Sequence, residues 1–227
     1  MEGELVKTLF DEFFGPVQLI DTDTDISEIQ KEMMDGKDMR IVSASEWLKY
    51  PWDTVRMFLH YSCTYVVPTE ELIDFLDKEI GDNSAIEICC GNGFIGRELN
   101  IPITDSCQQR DDKETVLYYK LHGQPTIKYP KDVIKMEALE AVKHFRPHTV
   151  LGCYATHKYS YVTNDGNDHG VEFVKLLKRV KKLILVGNLA IHKNNPIMKL
   201  PHKEILLEGL ITRAEDPMTN RIFIWEN

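Results

Sequence analysis

The 227-residue sequence has no run approaching the roughly 18 consecutive apolar residues of a membrane-spanning helix. Its first seven residues, Met1-Glu-Gly-Glu-Leu-Val-Lys7, lack the basic-then-apolar pattern of a secretory leader, so a cytoplasmic chain without membrane association is expected. Basic excess is missing too. The formal net charge is −9, with 7 Lys and Arg against 18 Asp and Glu in residues 1–80 and 20 against 18 in residues 81–227. A general binder of phosphate backbones needs a basic face, so these balances disfavour a long nucleic acid as partner. The five cysteines (63, 89, 90, 107 and 153) form no C-x-x-C pair and no zinc spacing, which favours reduced, buried thiols. Asp21, Asp23 and Asp25 lack the glycine and distal glutamate of an EF-hand loop. His157, Asp168 and His169 have no recognisable ligand spacing, and no metal is expected. Internal repeats and low-complexity segments are absent.

What remains is an alternation of strand-like and helix-like segments. Residues 1–64 carry short helical patterns at 8–14, 27–34, after Ser45 and at 52–61. Thr69, Glu70 and Glu71 open a helix with a Leu72, Ile73, Leu76, Ile80 stripe, and Gly81 closes it. Strand patterns follow at 85–90, 101–107, 132–136, 149–154 and 183–186, with helical patterns at 94–99, 138–145 and 171–180 between them. Residues 108–129 read as a polar, loop-like insertion in which 114–121 can form a helix. The last two strand patterns, 204–211 and 221–225, have no helix between them and should pair as a hairpin. The expected fold is α/β: a doubly wound, mostly parallel seven-stranded sheet with a C-terminal antiparallel hairpin over residues 65–227, preceded by a helical extension over residues 1–64.

The chain is organised around Ala85-Ile-Glu-Ile-Cys-Cys-Gly-Asn-Gly-Phe-Ile-Gly96. Strand, glycine turn and helix form a loop whose backbone can approach a ligand. Gly91, Gly93 and Gly96 fit G-x-G-x-x-G, which alone suits NAD, FAD or S-adenosylmethionine. A dinucleotide loop keeps its first strand apolar and puts its carboxylate at the end of the second. Here Glu87 lies inside the first strand, Asp105 ends the second and Glu137 follows the third. A buried charge is costly without a partner, so Glu87 must have one.

These features resemble the class I S-adenosylmethionine-dependent methyltransferase superfamily, whose first motif runs acidic-x-Gly-x-Gly-x-Gly. Glu87-Ile-Cys-Cys-Gly-Asn-Gly93 follows that spacing, with Cys89 in the place of the first glycine. The resemblance implies S-adenosylmethionine as cofactor, held by Glu87, Cys89, Gly91 and Gly93 at its methionine part, by Asp105 at the ribose and by Glu137 and Ala138 at the adenine. It also implies that residues 65–69 lie over the methionine end and that residues 154–157 face the methyl group, with His157 as base and Tyr154 shaping the pocket. Asn188 and His192 should come near the same rim.

The acceptor it implies is a small molecule or a protein. Cys153-Tyr-Ala-Thr-His-Lys158 is not the Asn/Asp-Pro-Pro-Tyr/Phe of amino-methylating DNA enzymes, and no Pro-Cys dipeptide offers a cytosine-C5 nucleophile. Two other readings stay open: a catalytically silent cofactor-fold scaffold, and an NAD(P)-dependent oxidoreductase.

Overall fold

The computed structural model describes residues 24–161 and 164–227. The expected helix at 8–14, and Asp21 and Asp23, lie outside them. Short helices Ser27–Met33, Ala44–Trp47 and Trp52–Tyr61 surround a small hairpin, β1 (Met34–Asp35) with β2 (Asp38–Met39). Gly36 makes its turn in the left-handed region, at φ +62°. Ile29, Met33, Trp47, Val55, Phe58 and Leu59 form a buried cluster that Val67 and Ile211 complete.

Helix Glu70–Ile80 forms as its sequence dictates. Thr69 Oγ1 accepts from the Leu72 amide, Gly81 ends the helix at φ 56°, and Leu72, Leu76 and Ile80 are buried. Burying each such side chain contributes about 1.5–3 kcal/mol. The helix delivers the chain into β3 (Ala85–Ile88), all of whose residues are buried.

The main sheet is mixed and five-stranded. β3 pairs in parallel with β6 (Thr149–Cys153), and β6 with β7 (Lys182–Asn188). β9 (Asn220–Glu226) runs antiparallel to β7 along its whole length, from Lys182↔Glu226 to Asn188↔Asn220. β8 (Lys203–Ile205) pairs antiparallel with β9, so the expected hairpin forms from a shorter first strand. β4 (Thr104–Asp105) and β5 (Ile134–Lys135) make a separate parallel pair.

The structure therefore departs from the single seven-stranded sheet expected. The physical reason lies at the β3–β4 seam. Pro102 has no N–H for a ladder, and the left-handed Cys89 (φ 52°) ends β3. The two sheets are joined by one bridge, Glu87↔Ile103, and by bonds that include Glu87 N–H to Pro102 O (2.9 Å), Cys90 N–H to Thr104 O (3.1 Å) and Thr104 Oγ1 to Glu87 O (3.0 Å).

Alternate residues of the main sheet feed opposite faces. Ile86, Ile88, Val150, Leu183, Leu185, Phe223 and Trp225 pack with helices Ala138–Phe145 and Phe173–Leu177. Ala85, Leu151, Ile184, Val186, Ile222 and Ile224 pack with helix Glu70–Ile80. Two helix expectations change in length. The helix expected over 171–180 is shortened to Phe173–Leu177, because Val171 bridges His157 and the turn after Leu177 tightens through Val180 N–H to Leu177 O. The 108–129 insertion holds two helices, Gln108–Asp111 and Lys113–Leu121. None of the helices described is long and apolar enough to cross a membrane.

Candidate functional site

Strand neighbours change direction at β3. From it the chain moves outward to β4 and β5 on one side, then returns to β6 on the other. Crevices form at such reversals, outside the carboxyl ends of the strands. A cavity of about 630 Å³ opens there, within the range of small-molecule sites. Glu87, the Cys89–Gly93 loop, Asp105, Tyr154 and Asn188 all line it.

The loop is set by its backbone. Cys89, Gly91 and Gly93 have φ of 52°, 55° and 69°. Cys89 thus keeps a conformation that suits glycine, at a cost of about 1–2 kcal/mol. Gly93 and Gly96 are needed for packing as well. A Cβ on Gly93 would lie 2.6 Å from Ile103 Cδ1, and one on Gly96 would lie 2.5 Å from both Glu87 Oε2 and Ile103 Cγ2. The following helix, Phe94–Glu98, has only five residues, so the loop offers space and backbone rather than a sizeable dipole.

Glu87 is 1% exposed and has the partners its burial demands. The Gly96 amide donates to Oε2 at 2.9 Å, and the Cys153 thiol hydrogen-bonds the same carboxyl. Burial nevertheless pushes the carboxyl up to about 8. Asp105 accepts from Gly91 N–H at 3.0 Å and from Cys107 N–H at 2.8 Å, and it hydrogen-bonds the Tyr129 hydroxyl. Its carboxyl is raised by burial, with these bonds opposing the rise. Asp105 therefore fastens the glycine turn and still faces the cavity with unused acceptor capacity. Burial, with nearby carboxylates, also pushes the Cys89 and Cys90 thiols far up. They are protonated at neutral pH and poor nucleophiles.

After β6 the chain turns at Tyr154, whose φ is 60°. Tyr154, Ala155 and Thr156 face the cavity. His157 is not among its lining residues: it is 3% exposed, and its buried Nε2 has no hydrogen-bond partner among the described residues. Burial lowers its pKa. His169, on the returning arm of the same loop, does line the cavity, with Nε2 3.7 Å from Asp112 Oδ2.

Glu137 and Ala138 begin helix Ala138–Phe145 and likewise stand outside the lining. Lining residues near Asp105 instead include Ser106, Gln109, Ile127 and Tyr129. Asn188 lines the cavity, but its side chain caps Ala190 N–H and donates to Asn220 Oδ1. His192 is fully buried against Gly187, with Nε2 3.3 Å from Ala155 O, and ties the ends of β6 and β7 together.

Residues that the sequence did not single out complete the wall: Gln109, Tyr119, Ile127 and Tyr129 from the insertion, and Arg213, Glu215 and Asp216 from the connection between β8 and β9. The one available signal was the concentration of tyrosines in the otherwise polar insertion.

No family model matches the chain, and no curated protein matches it in sequence. Among solved structures it is similar to two of WbdD, one of which is titled a bifunctional kinase-methyltransferase. Identity is 13% in both, with TM-scores of 0.39 and 0.36, covering 69% and 68% of this chain. The chain spans only 38% of the WbdD chains it matches. It is also similar to Thermoplasma acidophilum 1320, at 12% identity and a TM-score of 0.32, covering 80% of this chain and 92% of that one.

Proposed function

We propose that the cavity binds S-adenosylmethionine and that the chain, over residues 65–227, is a methyltransferase acting on a small-molecule acceptor, with residues 1–64 as an added cap. Counting β3 as the first strand and the bridge to Ile103 as continuity, the spatial order is third, second, first, fourth, fifth, seventh, sixth. The first five positions match the doubly wound order of nucleotide-binding folds, with the crevice at the reversal.

One observation carries the choice of ligand: Glu87, a buried carboxyl lining the cavity beneath the glycine turn. A group held that far above its ordinary value ionises readily only beside a cation. Asp105, Glu215 and Asp216 line the same cavity, which makes its charge inventory predominantly acidic. That inventory suits a ligand bearing a sulfonium and an ammonium and opposes the pyrophosphate of a dinucleotide.

S-adenosylmethionine supplies an electrophilic methyl group when bound. Glu87 would hold the ammonium side, and Asp105, already fixed by Gly91 and Cys107, would accept from the ribose hydroxyls. Gln109, Ile127 and Tyr129 take the flanking place that the family resemblance implied for Glu137 and Ala138. Tyr154 shapes the methyl end. His169 takes over from His157 as the group placed to accept a proton from the acceptor. Methyl transfer mainly needs proximity and alignment, which the turn, Asp105 and the tyrosine wall supply.

Thermal-shift titration with S-adenosylmethionine, S-adenosylhomocysteine, NAD and NADP tests the reading. Stabilisation by the two adenosyl-sulfur ligands is expected, and stabilisation by NAD alone would overturn it. One observation favours a silent scaffold instead: His157, the base read from the sequence, lies outside the cavity lining. Binding without turnover by either histidine would select that reading.

A further inference from the structure

Arg213 lines the cavity beside Tyr65 and Tyr119 and has no part in the roles above. Arg213 Cζ sits 3.9 Å from the centroid of the Tyr65 ring. Its backbone N–H donates to Tyr65 O at 2.8 Å, and the neighbouring Val66 and Thr212 form a bridge, so the base of the side chain is fixed. Stacking uses the face of a guanidinium and leaves its edge donors for an in-plane partner. The arginine ion pairs among the described residues belong to Arg97 and Arg110. No carboxylate of those residues comes within ion-pair distance of Arg213.

The surroundings define what that edge can take. Tyr65 and Tyr154 rings lie 5.6 Å apart, and the Tyr65 and Tyr119 hydroxyls are 3.3 Å apart, with Gln109 Nε2 donating to Tyr119. This is an aromatic wall of two rings tilted by 33° to each other, with a polar rim. The charge of Arg213 is felt across it: burial lowers His60 and Arg213 adds to that lowering, while it works against the burial-driven rise of the Cys63, Tyr119 and Tyr154 groups. Glu215 and Asp216 line the same cavity, so a dianion meets more repulsion than a monoanion.

We propose that Arg213 is the specificity-determining residue of an acceptor subsite, and that the acceptor is a small monocarboxylic acid with a planar body. Its carboxylate meets the guanidinium edge in the two-bond geometry that carboxylates favour, its body lies against Tyr65 and Tyr154, and a hydroxyl or amine on that body takes the methyl as the S–CH3 bond breaks, its proton passing to His169. The word acceptor rests on the methyl-donor reading of the adjacent loop; the binding of an acid does not.

Calorimetric titration of the full chain with benzoate and phenylacetate, with their amides, and with inorganic phosphate tests this. At least one acid should bind saturably, its amide at least tenfold more weakly, and phosphate more weakly than the acid. Arg213→Met should weaken the acid at least tenfold while S-adenosylhomocysteine affinity stays within twofold. Arg213→Lys, which keeps the charge but not the fork, should fall between the two and serves if Arg213→Met does not fold. Binding of neither acid, equal binding of acid and amide, or tighter binding of phosphate would overturn the proposal. So would loss of S-adenosylhomocysteine affinity in Arg213→Met, which would assign Arg213 to the donor. If acid binding follows Arg213 but the wild type does not bind S-adenosylhomocysteine, the subsite stands and the methyl-donor reading falls.

Discussion

The amide of Gly96 donates to the buried carboxyl of Glu87 at 2.9 Å, and the two residues touch so closely that a Cβ on Gly96 would lie 2.5 Å from Glu87 Oε2. The third glycine of the turn therefore serves the carboxylate within the strand. Gly96→Ala must displace both Glu87 and Ile103, and overpacking of this kind costs about 1–3 kcal/mol. Urea denaturation of Gly96→Ala should show that loss. A change within about 0.5 kcal/mol would mean that the strand and helix are not in this contact.

Glu87 makes stability depend on pH. Its carboxyl stands at about 8 against an ordinary 4.5, so between these values the folded state binds more protons than the unfolded. The contribution is fully present below pH 4.5 and is lost as pH rises through 8, a change on the order of 5 kcal/mol over the whole window. The Glu87→Gln variant should show a flatter stability profile over the same window. Parallel profiles for the two proteins would rule out a protonated Glu87.

Cys89 occupies a left-handed position that glycine would hold at no steric cost. Cys89→Gly should change stability by no more than about 1 kcal/mol, because relief of strain offsets the added freedom of the unfolded chain. Cys89→Val, branched at Cβ, should cost about 1–3 kcal/mol. Thermal melts of the pair decide the point. A larger loss in the glycine variant than in the valine variant would contradict it.

Asp105 ties the Gly91 and Cys107 amides together. Asp105→Asn weakens two charge-assisted bonds, each of the order of 1.5–3 kcal/mol. A 10- to 100-fold loss of S-adenosylhomocysteine affinity is expected, measured by calorimetry on protein whose circular dichroism is unchanged. Undiminished affinity would remove Asp105 from the site.

Much of this arrangement was legible in the sequence where short-range chemistry decides it. Thr69 and Gly81 bound a helix, Glu137 and Pro147 bracket another, and both form over the expected residues. Cys89, Gly91, Gly93, Asp105 and Tyr154 reach the cavity because they sit on the turn or at or just after strand ends, and Glu87 reaches it from inside β3, below the turn. His157 does not, because the left-handed Tyr154 redirects the loop and His157 O is taken by Asn167 N–H. Arg213 was illegible for a different reason. Its place depends on a long-range pairing with Tyr65, which no local pattern encodes. The split of the sheet was encoded in Pro102, a residue that a strand pattern passes over.

Calorimetric titration of S-adenosylmethionine at pH 7, in two buffers of different ionisation enthalpy, tests the central claim most directly. A cation bound beside Glu87 should ionise it, so binding should be one to one with release of up to one proton, and Glu87→Gln should bind without release. Absence of binding, or binding with the same proton balance in Glu87→Gln, would contradict a methyl-donor site built on Glu87.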